Sequence, residues 1–260
     1  NGEKFLDDAI TSILCQNYED FELLIINDHS KDDSKQIIES HKDKRIRIVN
    51  NDINLGLTKT LNKGIEISNG KYIARLDQDD FSSKKRLSTQ IDFIKKNKKI
   101  KLLGTWTKIV DSNKNFIKSL RFPTKRKNII KAMCFYNPFI HSSVLFEKKI
   151  IMKLGGYPND YVHASDYLLW CKIIRNYNVE NIDEELTIIR YHSDRSTLRP
   201  DKISYVKNES NKIHIYALKN NELKLYLYIF GYFITFFRRF RFFSFIIEKI
   251  INLSLSFRRN

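Results

Sequence analysis

Three carboxylates close a short apolar run in the stretch Gly70-Lys71-Tyr72-Ile73-Ala74-Arg75-Leu76-Asp77-Gln78-Asp79-Asp80, and few folds accommodate that arrangement. Tyr72 to Leu76 reads as a buried strand behind a glycine. Strands of an open α/β sheet deliver their C-terminal ends to the ligand crevice. Carboxylates packed this closely raise one another's pKa unless a cation sits among them. Hard divalent ions take oxygen ligands, and Mg2+ typically combines one or two carboxylates with substrate phosphates. The stretch therefore reads as a metal–diphosphate site at a strand end. The competing reading is an acidic turn capping a helix that starts near Ser82 or Ser83, because Asp and Ser are ordinary N-cap residues.

The flanking sequence favours an α/β sheet. Residues 3–16 carry Phe5, Leu6, Ala9, Ile10, Ile13 and Leu14 at helical spacing. Residues 21–26 form an apolar strand that ends in Asn27-Asp28-His29-Ser30, and a helix capped by Asp33 or Ser34 runs to about Ser40. A second strand is expected over 45–50 and a helix over 57–68, just before the acid-tipped strand. Strands alternating with helices at this pace predict βαβ units and a mainly parallel sheet. Beyond Asp80 the pattern predicts a helix over 84–96 and two antiparallel strands, 101–110 and 116–122, around Asp111-Ser112-Asn113. A basic helix over 125–135, a strand over 141–146 and a short helix to Leu154 follow, then a helix over 166–177 and a last strand over 185–191.

Composition narrows the class. At 42% hydrophobic and 29% charged residues the chain is globular rather than disordered. Its three cysteines (Cys15, Cys134, Cys171) show no C-x-x-C spacing, which fits a reducing compartment better than a disulfide framework or a zinc site. No signal peptide is recognised. A formal net charge of +16 favours polyanionic partners: nucleic acid, anionic lipid or phosphorylated substrates. The excess is uneven, with eight basic residues against two acidic ones from Lys219 to Asn260.

Several dispersed segments, taken together, resemble one family. They are Asn1-Gly2-Glu3-Lys4-Phe5-Leu6; Ile26-Asn27-Asp28-His29-Ser30; Asn54-Leu55-Gly56 with Asn62-Lys63-Gly64; Ala74 to Asp80 with its Asp-x-Asp; Gly155-Gly156-Tyr157; and Ala164-Ser165-Asp166-Tyr167-Leu168-Leu169-Trp170. In this order they resemble family 2 glycosyltransferases of the nucleotide-sugar-binding GT-A fold, of the bacterial polysaccharide and lipopolysaccharide biosynthesis type. Three departures stand out. The strand Val-Ser-Val-Ile-Ile-Pro-x-Tyr that the family places before Asn-Gly is absent, so a central strand and part of the nucleotide pocket would be missing if this were the whole polypeptide. The usual Asp-Asp-Gly-Ser is Asn27-Asp28-His29-Ser30, and the usual Glu-Asp is Ser165-Asp166.

The resemblance implies a GT-A domain over residues 1–200 and a helical, aromatic and basic tail over 201–260. It implies inverting transfer of a sugar from a nucleotide sugar, UDP-linked, to a glycan or lipid-linked glycan acceptor in cell-surface polysaccharide synthesis. Asp79, with Asp77 and Asp80, would hold Mn2+ or Mg2+ on the leaving diphosphate. Asp28 and Asn54 would contact the nucleotide, and His192, in Arg190-Tyr191-His192, would close over the diphosphate. Asp166 would be the base that takes the acceptor proton, although Asp before Tyr-Leu-Leu-Trp is also good capping chemistry. His141 resembles a family position near the acceptor, and Trp170 reads as core.

Two other classes remain open at this level. One is a metal-dependent phosphoryl-transfer enzyme acting on nucleic acid, although no nucleic-acid module or aromatic–basic stripe is recognisable, and so no nucleic-acid partner is expected. The other is a non-catalytic carbohydrate-binding module, which would not need Asp77, Asp79 and Asp166 together. In the tail, residues 225–237 carry no charge, yet a helix of that length reaches only about 20 Å against a hydrocarbon core of roughly 30 Å. With Arg238, Arg239 and Arg241 directly after it, this segment is expected to lie on an anionic membrane surface, the cytoplasmic, inner face of the plasma membrane. The alternative is a pair of helices packed on the catalytic domain or on a second copy.

Overall fold

The computed structural model describes residues 1–161, 163–193, 195 and 200–220. In chain order the elements are α1 (Leu6–Leu14), β1 (Leu23–Asn27), α2 (Ser34–Ser40), β2 (Ile46–Asn50), α3 (Leu57–Ile67), β3 (Tyr72–Ala74), β4 (Phe81–Ser82) and α4 (Arg86–Lys96). They continue as β5 (Ile100–Val110), β6 (Phe116–Leu120), α5 (Arg126–Ala132), β7 (Leu145–Glu147), α6 (Lys148–Lys153), α7 (Ser165–Asn176), β8 (Asn178–Arg190) and α8 (Pro200–Asn220), with a 3-10 turn at His141–Ser143.

Two sheets result. β1 and β2 pair in parallel, from Leu23 opposite Ile46 to Asn27 opposite Asn50, and join no other strand among the described residues. Behind them Leu6 and Ile10 of α1 meet Ile38 of α2 in a small core of their own. The larger sheet has six strands, in the order β3-β7-β5-β8-β4, with β6 on β5. Within it only β5–β8 is parallel; β3–β7, β5–β7, β4–β8 and β5–β6 are antiparallel.

The mainly parallel sheet expected from the sequence is therefore corrected to a mixed one. Strand–helix alternation is what argues for parallel pairing, and it holds only as far as β3. Beyond that the chain turns back through the β5–β6 hairpin and the short β7, both of which run against their neighbours. Boundaries shift for similar local reasons. The strand expected over 141–146 is split, because Ser143 N–H closes a turn on the Ile140 carbonyl at 2.8 Å before β7 begins. The last strand starts at Asn178 rather than near 185. Its first half is polar and so lacks a strand signature, but Asn181 is buried there and donates to the Pro123 and Pro138 carbonyls.

The main core lies between the large sheet and α7. Leu169, Trp170, Ile173 and Ile174 pack against Leu102, Phe146 and Val179, and Trp170 is fully buried, as the sequence suggests. α8 begins at Pro200, and its Ile213 and Ala217 join this same core. Residues 221–260, with the apolar and arginine-rich segments of the tail, lie outside the described residues.

Candidate active site

The loop after β3 is held rigidly from below. Arg86 of α4 is fully buried and donates to the Arg75 carbonyl at 2.8 Å, the Val144 carbonyl at 3.3 Å, Gln90 and Ser82. Burial and the nearby Arg75 charge lower its pKa to about 9, which still leaves it cationic near neutrality. One buried guanidinium therefore ties α4 to the ends of β3 and β7, and the three carboxylates project from that anchor.

Their environments differ. Asp77 pairs with Arg75 and accepts a hydrogen bond from Ser142 Oγ at 2.8 Å. Burial would push its pKa up, but Arg75, Arg195 and the Ser142 hydroxyl outweigh it and hold Asp77 ionised far below the usual carboxylate range. The Asp80 side chain is wholly enclosed: it lies 2.5 Å from Ser142 Oγ, whose one proton it shares with Asp77, and accepts from Arg190 N–H at 3.1 Å and from both terminal nitrogens of Arg195 at 2.9 and 3.3 Å. Burial, together with the charges of Asp77 and Asp79, pushes it up to about 6 against the pull of Arg195. Both Asp80 oxygens are spent on the framework, so the expected ion ligand is here a brace between the acid loop and the end of β8.

Asp79 is the carboxylate that faces a partner suited to metal binding. Its Oδ2 lies 2.9 Å from His192 Nε2 and 3.8 Å from Arg195 Nη1. The other ring nitrogen of His192, Nδ1, is buried without a hydrogen-bond partner among the described residues, and the ring packs on Phe5 at 4.9 Å. The chain brings His192 here because Arg190, at the end of β8, is itself locked: its guanidinium reaches Asp8, the Ser112 carbonyl and the Asp79 carbonyl, over the Phe5 ring. Among the described residues no group of three or more His, Cys, Asp or Glu side chains is arranged for a metal. The Asp79 carboxylate is nonetheless an oxygen ligand of the kind a hard divalent ion takes, with substrate phosphate oxygens and water completing the shell.

Asp166 occupies the first turn of α7, half-buried, and accepts from Asn137 Nδ2 at 3.0 Å. Burial drives its pKa up to about 6, and the negative charge of Asp77 adds to the rise, so the two carboxylates sense each other across one site. His141 packs edge-on to Tyr157 and tilts against Trp170 of the core. Its Nε2 is 2.9 Å from the Tyr157 hydroxyl, and burial beside Arg75 lowers its pKa to about 3, which keeps the imidazole neutral.

The segments toward the N-terminus form a second polar wall. Asp28 accepts from Asn51 Nδ2 and Leu55 N–H, both at 2.8 Å, and from Gly56 N–H at 2.9 Å, while Asn54 Nδ2 donates to the Asp28 carbonyl. His29 takes the left-handed conformation (φ 59°) where the resemblance places glycine. Asn1 and Gly2 bridge this wall to the acid loop: Asn1 Oδ1 accepts from Lys31 N–H, its carbonyl accepts from Gln78, and a Cβ on Gly2 would meet the Gln78 side chain at 2.8 Å. Asn62 and Tyr157, from two of the family-like segments, exchange hydrogen bonds of 2.8 and 2.9 Å, and a Cβ on Gly156 would strike Asn62 at 2.4 Å. Those segments are structural clasps.

Sequence reasoning missed Arg75, Arg86, Asn137, Ser142, Arg190 and Arg195. A buried arginine carries no local signature, and only the excess of acids in the loop hinted that cations must balance them.

Comparison with known proteins agrees with this geometry. Residues 1–155 match the family model described as glycosyl transferase family 2. The chain is 34% identical to the O-antigen biosynthesis glycosyltransferase WbnJ of Escherichia coli, over 74% of this chain and 76% of that protein. It is 30% identical to the UDP-Gal:alpha-D-GlcNAc-diphosphoundecaprenol beta-1,3-galactosyltransferase of Escherichia coli, over 79% of this chain and 75% of that protein. Among solved structures, S. aureus TarS residues 1–349 in complex with UDP-GlcNAc superposes with a TM-score of 0.68 at 18% identity, over 87% of this chain and 66% of that one. That likeness establishes a GT-A type of fold, with its mixed sheet and flanking helices. The family match over residues 1–155 and the 34% identity to a relative covered over three quarters of its length agree, and the chain belongs to glycosyl transferase family 2.

Proposed function

We propose that this protein transfers one sugar, with inversion at the anomeric carbon, from a UDP-linked donor to a lipid-linked glycan acceptor. The observation that carries the reading is Asp166: a half-buried carboxylate with its pKa raised to about 6, in the same electrostatic site as the acid loop. The acceptor hydroxyl gives its proton to an Asp166 oxygen as the hydroxyl oxygen bonds to the anomeric carbon. The bond from that carbon to the diphosphate breaks on the opposite face, and the electron pair leaves with the diphosphate. A base near pKa 6 is ionised at neutral pH yet basic enough to help. Asp79, with His192 beside it, would hold Mn2+ or Mg2+, which when bound would supply the positive charge a leaving diphosphate needs. Asp77 keeps Arg75 in place, and Asp80 braces the loop that presents Asp79. Asp28 and Asn54 shape the wall that takes the nucleoside.

The UDP and lipid-linked assignments follow the galactosyltransferase relative and the UDP-GlcNAc bound by TarS. A thermal-shift panel tests the donor class. UDP or a UDP-sugar with Mn2+ is expected to raise the melting temperature by several degrees, as binding to the native state alone must. A panel in which no nucleotide with metal shifts the transition counts against a nucleotide-sugar enzyme and for a carbohydrate-binding module.

The same reading places the catalytic unit in residues 1–200, on the inner face of the plasma membrane. Among the described residues no helix is long and apolar enough to cross a membrane. The aromatic and basic residues 222–260 suit a peripheral anchor, with rings at the headgroup boundary and arginines on anionic lipid. Removal of residues 222–260 is expected to abolish salt-sensitive binding to anionic vesicles. Equal binding by the truncated and full chains would assign the tail to protein packing instead.

A further inference from the structure

Within the first turn of α7 the Asp166 carboxylate accepts from its own N–H and from Tyr167 N–H, but the residues just ahead of it bring no acceptor. The N-cap residue is Ala164, which has no side chain able to accept a hydrogen bond, although the first N–H groups of any helix need acceptors. The N–H of the N-cap Ala164 and that of His163 before it find one on a different helix. Glu209 Oε2, from α8, accepts from His163 N–H at 2.8 Å and from Ala164 N–H at 3.0 Å. The contact is part of a docked face. Four residues on from Glu209, Ile213 is fully buried in the main core, and His214 sets its ring edge-on to Tyr167 at 5.5 Å. Ala217, another turn along, is buried with Ala164 and Tyr167. Two residues beyond the capped Ala164 stands Asp166.

We infer that Glu209 is a positioning residue for Asp166: from α8 it fixes the first turn of α7, and with it the place of the Asp166 carboxylate. The inference rests on Asp166 acting as the base. The physical ground is reach. A base must lie within hydrogen-bonding distance of the acceptor hydroxyl, and an error of about 1 Å in such a group costs up to about 100-fold in rate. Asn137 restrains the Asp166 side chain from one side, and the Glu209 contact restrains the backbone just ahead of α7.

The test compares four variants of the full chain: Glu209→Ala, Glu209→Gln, Asp166→Asn and the Glu209→Ala/Asp166→Asn double. For each, kcat, donor KM and amide exchange at residues 163 and 164 are measured. Glu209→Ala is expected to lower kcat about 10-fold with donor KM unchanged, and to speed exchange at both amides. Glu209→Gln, whose carbonyl oxygen can accept the same bonds, should restore most of kcat. The double variant should be no slower than Asp166→Asn alone, because a residue that acts through another adds nothing once that other is gone. If Glu209→Ala does not fold, Glu209→Asp takes its place: it keeps the charge but pulls the oxygens back by one methylene, so it should be slower than Glu209→Gln. Wild-type kcat in Glu209→Ala despite faster exchange would overturn the proposal. So would additive slowing in the double variant, or unchanged exchange. If Asp166→Asn itself turns over normally, the base assignment fails and the positioning role falls with it, while exchange at 163 and 164 still reports whether the cap exists.

Discussion

An Asp166→Asn enzyme is expected to bind the nucleotide sugar as the wild type does and to transfer it at least about 100-fold more slowly, the usual scale for losing a general base. The amide keeps the shape and the Asn137 contact but cannot take a proton. In the wild type, turnover should fall as pH drops through about 6, where Asp166 becomes protonated, and the variant should lose that limb. Stability moves the other way. Because the folded pKa of Asp166 lies above its ordinary 3.8, the native state holds the proton more tightly than the unfolded chain does. The stabilising contribution is present below about pH 4 and is lost as pH rises to about 6. Near neutrality the Asn variant should therefore be more stable than the wild type, by on the order of 2 kcal/mol, and the difference should vanish in acid. Loss of donor binding together with a lower melting temperature would identify Asp166 as a structural cap.

Asp79→Asn should abolish metal-dependent transfer while leaving the fold intact. A neutral amide is a poor ligand for a hard cation, and Lewis-acid stabilisation of a leaving group is worth several kcal/mol, so a loss of about 100-fold or more is expected. The fold should tolerate the change because Asp79, unlike Asp80, carries little of the internal bracing: its side chain meets His192 and the fringe of Arg195. Calorimetry should show weakened Mn2+ uptake in the presence of UDP. Near-wild-type turnover with metal still required would remove Asp79 from the metal site. The matching change at Asp80 should instead loosen the loop, since it breaks the bidentate contact with Arg195.

What could be read in advance follows from the range of the interactions. The α1 stripe and the β1 and β3 runs are encoded by neighbouring residues, and each appears close to its expected place. So did Asp166 at a helix start, because Asp before an apolar run is a local signal. The direction of the large sheet was not local. β3 and β7 pair antiparallel although they lie far apart in the chain, and nothing near Tyr72 or Leu145 announces the other. The division of labour among the three acids was equally hidden. Asp77 and Asp80 are committed by Ser142, Arg190 and Arg195, all distant in sequence, whereas Asp79 is committed by His192. Sequence spacing made the carboxylates look alike, and their partners make them different.

The separateness of the β1–β2 sheet has a consequence for how the molecule comes apart. Among the described residues its strands pair in a sheet only with each other, its small core of Leu6, Ile10 and Ile38 is its own, and all of it comes from the first fifty residues. A contiguous segment with short-range contacts is a natural unit of partial opening, able to loosen while the larger sheet stays intact. The Asn1 carbonyl, reaching Gln78, and Ser12, Gln16 and Asn17, reaching Ser82, Ser83 and Lys84, are the stitches across that seam. A donor laid from the Asp28 wall to the acid loop would add a further stitch, and its binding energy would then be felt as cooperativity between two parts of the protein that otherwise open separately.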